Sequence, residues 1–341
     1  MLAGEDDAAI RAGEAAFAIA DELDLDEVRA SVLNTIGASR VSEGDMSGIQ
    51  DIERSIEIAL AANSAECVRG YTNLSATLVA SVGDLERGME ADAEGIRAAE
   101  RFGDEIGLRF LRGHQMLSGL ITGRWDESLA IADDFIAAGE AGSPHYMECA
   151  AHHHRAAILL ARDHPEEALA QARASIELAR RIRDPQTLQP ALLIGANVVY
   201  QAGETREAEA LVVEFLDSWG RRVVFMEYVH HSISCVLELG HGDRLSSLLQ
   251  GAVASPWRDA AEAALRGQPV RDAEILAGIG ARTYEAAARL RAAKLLVEQD
   301  RRAEADDQLQ RALAFHRSVG ATRYIREGEA LLAVQAQSES A

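Results

Sequence analysis

Lysine is all but missing from this chain: of 34 basic residues only Lys294 is one. Aromatic residues make up 5% and prolines number six. Runs of Val, Ile, Thr and Tyr bounded by turn residues are missing too, which excludes a sheet-built domain. The three cysteines, Cys67, Cys149 and Cys235, lie far apart and in no metal-ligand spacing. They are expected to be free, buried small hydrophobes in a reducing compartment. No apolar run approaches the length of a membrane span. The first residues, Met1-Leu2-Ala3-Gly4-Glu5-Asp6-Asp7, are acidic where a secretory leader is basic. These absences point to a cytoplasmic protein. Positive charge is outnumbered, 34 Lys and Arg against 55 Asp and Glu, for a net −21. Such a surface repels phosphate backbones and anionic lipid heads, so neither nucleic acid nor membrane is expected as a partner.

What is present is a helix-former's alphabet of Ala, Leu, Glu and Arg, with 48% hydrophobic residues in all. It carries an internal repeat. Ala8, Gly48, Gly88, Ser128, Ala168 and Ala208 are each 40 positions apart. Turn pairs precede most of them: Gly44-Asp45, Gly83-Asp84, Gly123-Arg124, Asp163-His164 and Gly203-Glu204. The phase then slips through Gly242-Asp243 and Ser246-Ser247, a short unit with Gly267-Gln268 and Ala273, and a last turn near Asp300 before Ala305. Each unit reads as helix A, a tight turn, and helix B, whose small residue lets the two axes approach. Leu129, Ile131, Ala132 and Phe135 show the apolar stripe that neither helix can bury alone. Ser143-Pro144, Asp184-Pro185 and Ser255-Pro256 are expected to open A helices, and Pro165 and Pro269 to open B helices. Pro190 falls inside a predicted A helix and is expected to kink or delay it.

The period alone fits HEAT or armadillo arrays as well. The mid-unit Gly-Asp or Gly-Arg turn and the acidic, alanine-rich opening of helix B favour a tetratricopeptide (TPR) array. The expected fold is all-α, a TPR-like right-handed superhelix of stacked helix–turn–helix repeats over residues 1–341. Its parts are a half repeat 1–25, repeats 26–63, 64–103, 104–142, 143–183, 184–220, 221–254, 255–280 and 281–320, and a capping helix 321–336. Ile10, Phe17, Ile19 and Leu23 of the half repeat lack a covering helix, which suggests self-association or an upstream element.

Several ordered segments carry a resemblance. They include Leu33-Asn34-Thr35-Ile36-Gly37, Asp51-Ile52-Glu53-Arg54-Ser55-Ile56-Glu57-Ile58-Ala59, and Gly123-Arg124-Trp125-Asp126-Glu127. Further on come Ser143-Pro144-His145-Tyr146-Met147-Glu148, Ile279-Gly280-Ala281-Arg282, and the run from Arg311 to Thr322. On these the chain resembles the C-terminal TPR region of bacterial adenylate/guanylate-cyclase-linked, AAA-type ATPase signalling proteins. The resemblance implies a docking or sensing array that passes its state to an effector domain. The family's catalytic chemistry does not carry over. There is no Gly-x-x-x-x-Gly-Lys-Ser/Thr phosphate loop, and Lys294 lies mid-helix in Arg291-Ala292-Ala293-Lys294-Leu295-Leu296. LuxR-type ATP-binding regulators also carry such arrays but end in a DNA-binding helix-turn-helix, whereas this chain ends in a repeat cap.

Two constellations invite a functional reading. His145, Glu148 and His152 fall at i, i+3 and i+7, a zinc-compatible set if all three share a helix face. The adjoining His153 and His154 must point elsewhere, and no second helix offers a partner ligand, so no metal is expected. Nine or ten residues before successive turns, helix A carries Asn34, Asn73, His114 and His153, with His231 continuing the series. At one repeat phase these would form a ladder along a concave groove, able to hydrogen-bond an extended peptide. Asn34 and Asn73 are better read as bonding neighbouring helices inside the core, as buried amides must, and the histidines are open to either role. No nucleophile–base pair or paired carboxylate set stands out, so no catalytic residue and no cofactor are expected. The sequence reads as a signalling scaffold that docks a protein or peptide partner. The alternatives are a small-ligand or peptide sensor and an array from a LuxR-type regulator.

Overall fold

The computed structural model describes the backbone of residues 6–219 and 226–339, and side chains through Leu332. All regular structure among these residues is helical, and no strand occurs. The chain divides into two compact units, residues 1–115 with 253–255, and 116–252 with 256–341.

The first unit holds α1 (Asp6–Glu22), α2 (Asp26–Ser42), α3 (Gly48–Ala61), α4 (Glu66–Thr77), α5 (Leu85–Phe102) and the start of α6 (Glu105–Thr122). Even-numbered helices are the expected A helices and odd-numbered ones the B helices. The turns between them explain the glycine pattern. Each A-to-B turn pivots on one left-handed residue, Gly44 at φ 91° and Gly83 at φ 74° in this unit. The small residues act as expected. A Cβ on Gly48 of α3 would overlap the Gly37 carbonyl oxygen of α2, and one on Gly37 the Gly48 carbonyl. The two helix axes therefore cross at backbone contact. Ala8, at the same phase of α1, is exposed. The core is aliphatic, with Ile52, Val68, Leu78 and Leu111 all but inaccessible. Ile19, Leu23, Leu25 and Val28 of the first hairpin stay exposed.

The second unit continues with α7 (Trp125–Glu140), α8 (Glu148–Ala161), α9 (Pro165–Ile182), α10 (Pro185–Gln201) and α11 (Thr205–Ser218). A short 3₁₀ turn (Met226–Tyr228) leads into α12 (Val229–Glu238), α13 (Gly242–Leu249), α14 (Pro256–Leu265) and α15 (Pro269–Gly278). The long helices α16 (Arg282–Glu298), α17 (Arg302–Ser318) and α18 (Thr322–Glu339) complete it. The slipped phase has its cause here: α12 to α15 span only eight to ten residues each. Ser128, Ala168, Ala208, Ala273 and Ala305 are all buried at the start of their B helices. The Ser128 hydroxyl donates to the Met116 carbonyl of α6 at 2.8 Å.

Prolines open α9, α10, α14 and α15 as the sequence requires, and Asp184 caps α10 by accepting from the Gln186 amide at 2.9 Å. Two expectations need correction. Ser143-Pro144 does not open α8, which starts at Glu148. The intervening residues are held in a turn: the Met147 amide bonds His145 Nδ1 at 3.2 Å, and the Tyr146 hydroxyl donates to Asp184 at 3.0 Å. Pro190 does not delay α10, which runs from Pro185 to Gln201. So near the N-terminus, the proline removes only one backbone bond.

The second unit closes on itself. The Trp125 indole N–H donates to the Leu120 carbonyl and to Thr283 Oγ1, both at 3.1 Å, and its ring meets Phe315 edge-on at 6.1 Å. On the other side α18 reaches back to α8 and α10. Arg162 donates to the Val319 carbonyl at 3.2 Å, Arg326 pairs with Asp163 at 2.7 Å, and Arg323 bonds the Gln201 side chain at 2.8 Å. The A helices thus turn their inner faces toward one interior.

Candidate functional site

That interior is not the aliphatic filling of the first unit. It gathers five of the ten histidines, His153, His154, His230, His231 and His316, with Tyr228, Tyr284 and Tyr324. Successive residues of α8 point apart, as a helix demands. His152 bonds Gln171 on α9 at 2.6 Å. His153 bonds the Ser175 hydroxyl at 3.3 Å. His154 faces inward and bonds the Tyr228 hydroxyl at 3.0 Å. On α12, His230 Nε2 bonds the Trp257 carbonyl at 3.0 Å, and His231 meets Tyr284 edge-on at 4.8 Å.

Burial fixes the protonation of this cluster. It lowers His154 and His231 to about 3 and His316 to about 4, and holds His153 well below its usual value. His230 is also lowered by burial, partly opposed by Asp272. These imidazoles are neutral at pH 7. Burial moves Tyr228 and Tyr284 well above the usual phenol range. It also raises Glu227, whose carboxyl is fully buried, to about 8. Neither Glu227 oxygen has a partner among the described residues. Asp272, equally buried, is held at 2.6 Å by Arg291.

A cavity of about 60 Å³ opens at the centre. His230, Tyr284 and His316 form buried parts of its wall, and His231, Thr283 and Tyr324 border it half-buried. Leu160, Ile194 and Val198 supply an apolar side. The His231 Nε2, the Tyr284 hydroxyl and both ring nitrogens of His316 are buried without hydrogen-bond partners. Such groups cost roughly 1–3 kcal/mol each when left unsatisfied, so their convergence marks a place for water or ligand.

The other residues singled out from sequence lie elsewhere. In the first unit Asn34 is buried and its Oδ1 accepts from Asn73 Nδ2 at 2.9 Å, linking α2 to α4. His114 on α6 bonds Asp92 of α5 at 3.1 Å and stays partly exposed. His145 precedes α8 and packs on Phe135, 5.5 Å between ring centres, so it shares no helix face with Glu148 and His152. Among the described residues no three potential ligands are arranged to hold a metal ion. The cysteines are free and buried, and Cys149 Sγ lies 3.4 Å from the Ser175 carbonyl. Sequence reasoning missed Glu227, Tyr284, His316 and Tyr324. The available signal was the placement of histidine and tyrosine inside otherwise apolar helix stripes.

No family profile matches the chain, and no curated protein matches it. Among solved structures, the TPR domain of P58(IPK) aligns over 97% of this chain and 99% of that one. The identity is 12% and the TM-score 0.26, too low to carry an argument. The repeat architecture rests on the helices and turns described above. None of the described helices is long and apolar enough to cross a membrane.

Proposed function

We propose that the chain is a regulatory scaffold of TPR-like repeats that docks an extended, basic protein segment. The observation carrying this reading is the polar strip on successive A helices of the first unit. Arg69 of α4 reaches across to Ser31 and Thr35 of α2, at 3.1 and 2.9 Å. Asn73 and His114 follow at the phase one repeat apart, each half-buried and each with a side chain anchored by one bond. Anchored polar groups at a fixed spacing suit the backbone of an extended peptide, and the net charge of −21 favours a basic one. The cyclase/ATPase-linked setting implied by the resembling segments fits such a role, with the effector chemistry on another domain. The test is a peptide array covering the source proteome, followed by titration of the best binders. Asn73→Ala with His114→Ala is expected to weaken binding at least tenfold. Equal affinity in wild type and a folded double variant overturns the assignment.

A second reading, a small-ligand sensor, is favoured by one observation, the cavity of the second unit with its unpartnered polar groups.

A further inference from the structure

The unpartnered groups around the central cavity define a ligand more closely than their number suggests. Three features decide its chemistry. First, size: the space is about 60 Å³, less than half of the roughly 150 Å³ that accommodates benzene in an engineered apolar cavity. By that comparison it admits a molecule of roughly two or three non-hydrogen atoms. Second, charge: no Asp, Glu, Lys or Arg side chain lines it. A charged ligand would be desolvated with no counter-ion. Third, hydrogen bonding: a neutral imidazole presents one donor and one acceptor, and a phenol offers both. His231 Nε2, both nitrogens of His316 and the Tyr284 hydroxyl therefore ask for a guest that donates and accepts together. The rings of Trp125, Tyr284 and Tyr324 border the same space, which favours a flat guest.

We propose that the cavity lined by α6, α7, α8, α10, α12, α16, α17 and α18 binds a small, planar, uncharged amide. The proposal rests on the sensor reading of the second unit and names its ligand class. The amide N–H groups donate to imidazole acceptors, and the amide oxygen accepts from the Tyr284 hydroxyl or an imidazole N–H. Ala157 and Ala287, half-buried at the cavity, are the small side chains that leave the space open.

The test uses the full chain with ¹⁵N-labelled histidine. Formamide is titrated while the imidazole nitrogen resonances are followed. Formate, its charged counterpart, is titrated in parallel. Saturable shifts of His231 and His316 with formamide, and at least tenfold weaker ones with formate, are expected. Tyr284→Phe, which keeps the ring, should weaken formamide at least fivefold. Ala287→Leu, which adds three carbons at the cavity wall, should abolish the shifts. Equal response to both probes, no saturable response to either, or formamide binding unaffected by both substitutions overturns the proposal. Mass spectrometry of small molecules released from gently purified protein separates the two levels. A released ligand of another class with no formamide response overturns the amide assignment and leaves the sensor reading standing. Empty protein with no response to either probe overturns both.

Discussion

At the scale of single residues, the second unit keeps groups where water alone would not put them. Glu227 is the plainest case. Below its ordinary value both folded and unfolded chains hold the proton, so burial of the neutral acid carries no ionisation penalty. Between about 4.5 and 8 the unfolded chain releases it and the folded chain does not, so stability falls as pH rises. At pH 7 the loss is roughly 3 kcal/mol. Glu227→Gln is expected to recover about that much at pH 7 and almost nothing at pH 4.5, read from urea midpoints of the two proteins at both values. An equal effect at both pH values would mean that the carboxyl is not held neutral. The histidines work in the opposite direction. With folded values lowered to about 3, 3 and 4, His154, His231 and His316 stay neutral while the unfolded chain gains protons below about 6.5. Their contribution is intact above that value and is lost as pH falls, about 2 kcal/mol per ring at pH 5.

At the scale of helices and hairpins, close approach is the controlling feature. Gly48→Ala sets a methyl against the Gly37 carbonyl, which cannot move without its helix. Gly88→Ala meets a side-chain methyl of Val79 rather than backbone. The first is expected to cost about 1–3 kcal/mol and the second distinctly less, by calorimetry on each variant. The first hairpin poses a different question. Ile19 and Leu23 are 58% and 59% exposed, beside Leu25 and Val28. Self-association through this strip is expected, and Ile19→Glu with Leu23→Glu should abolish it in light scattering. A wild type that stays monomeric at high concentration would dismiss the idea. Legibility from sequence follows the same scale. Helices, turns and small-residue contacts were readable because each is set within one repeat, by a glycine, a proline or a 3.6-residue stripe. The start of α8 was not, because Ser143-Pro144 is overruled by Tyr146 bonding Asp184 from the next A helix. The interior cluster was less legible still. His231 of α12 and Tyr284 of α16 meet edge-on at 4.8 Å although three helices separate them in the chain, and no local pattern encodes such a contact.

At the scale of the whole molecule, the two units differ in what acid should do to them. The first has an aliphatic core, whereas the second encloses neutral imidazoles. Between pH 7 and 5 the three rings with assigned values lose about 6 kcal/mol together, and Glu227 returns about 3. The balance is a large share of the 5–15 kcal/mol that stabilises a typical domain. The second unit should therefore melt first on acidification. Hydrogen exchange at pH 7 and 5 is expected to show protection falling in α8, α12 and α16 before α3 and α5. Loss in the reverse order would contradict the assigned protonation states. The clasp between Arg162 and the Val319 carbonyl has a further consequence, in time. Its partners are 157 residues apart, and a ribosome adds about 5–20 residues per second. About eight to thirty seconds thus pass between synthesis of the first partner and the second. Throughout that interval the parts of α8 and α10 that α16 and α18 cover stay open, although Tyr228 and α12 have already reached them. A nascent chain of this protein is therefore expected to engage holdase chaperones until α16 to α18 have emerged, which ribosome-associated crosslinking would check.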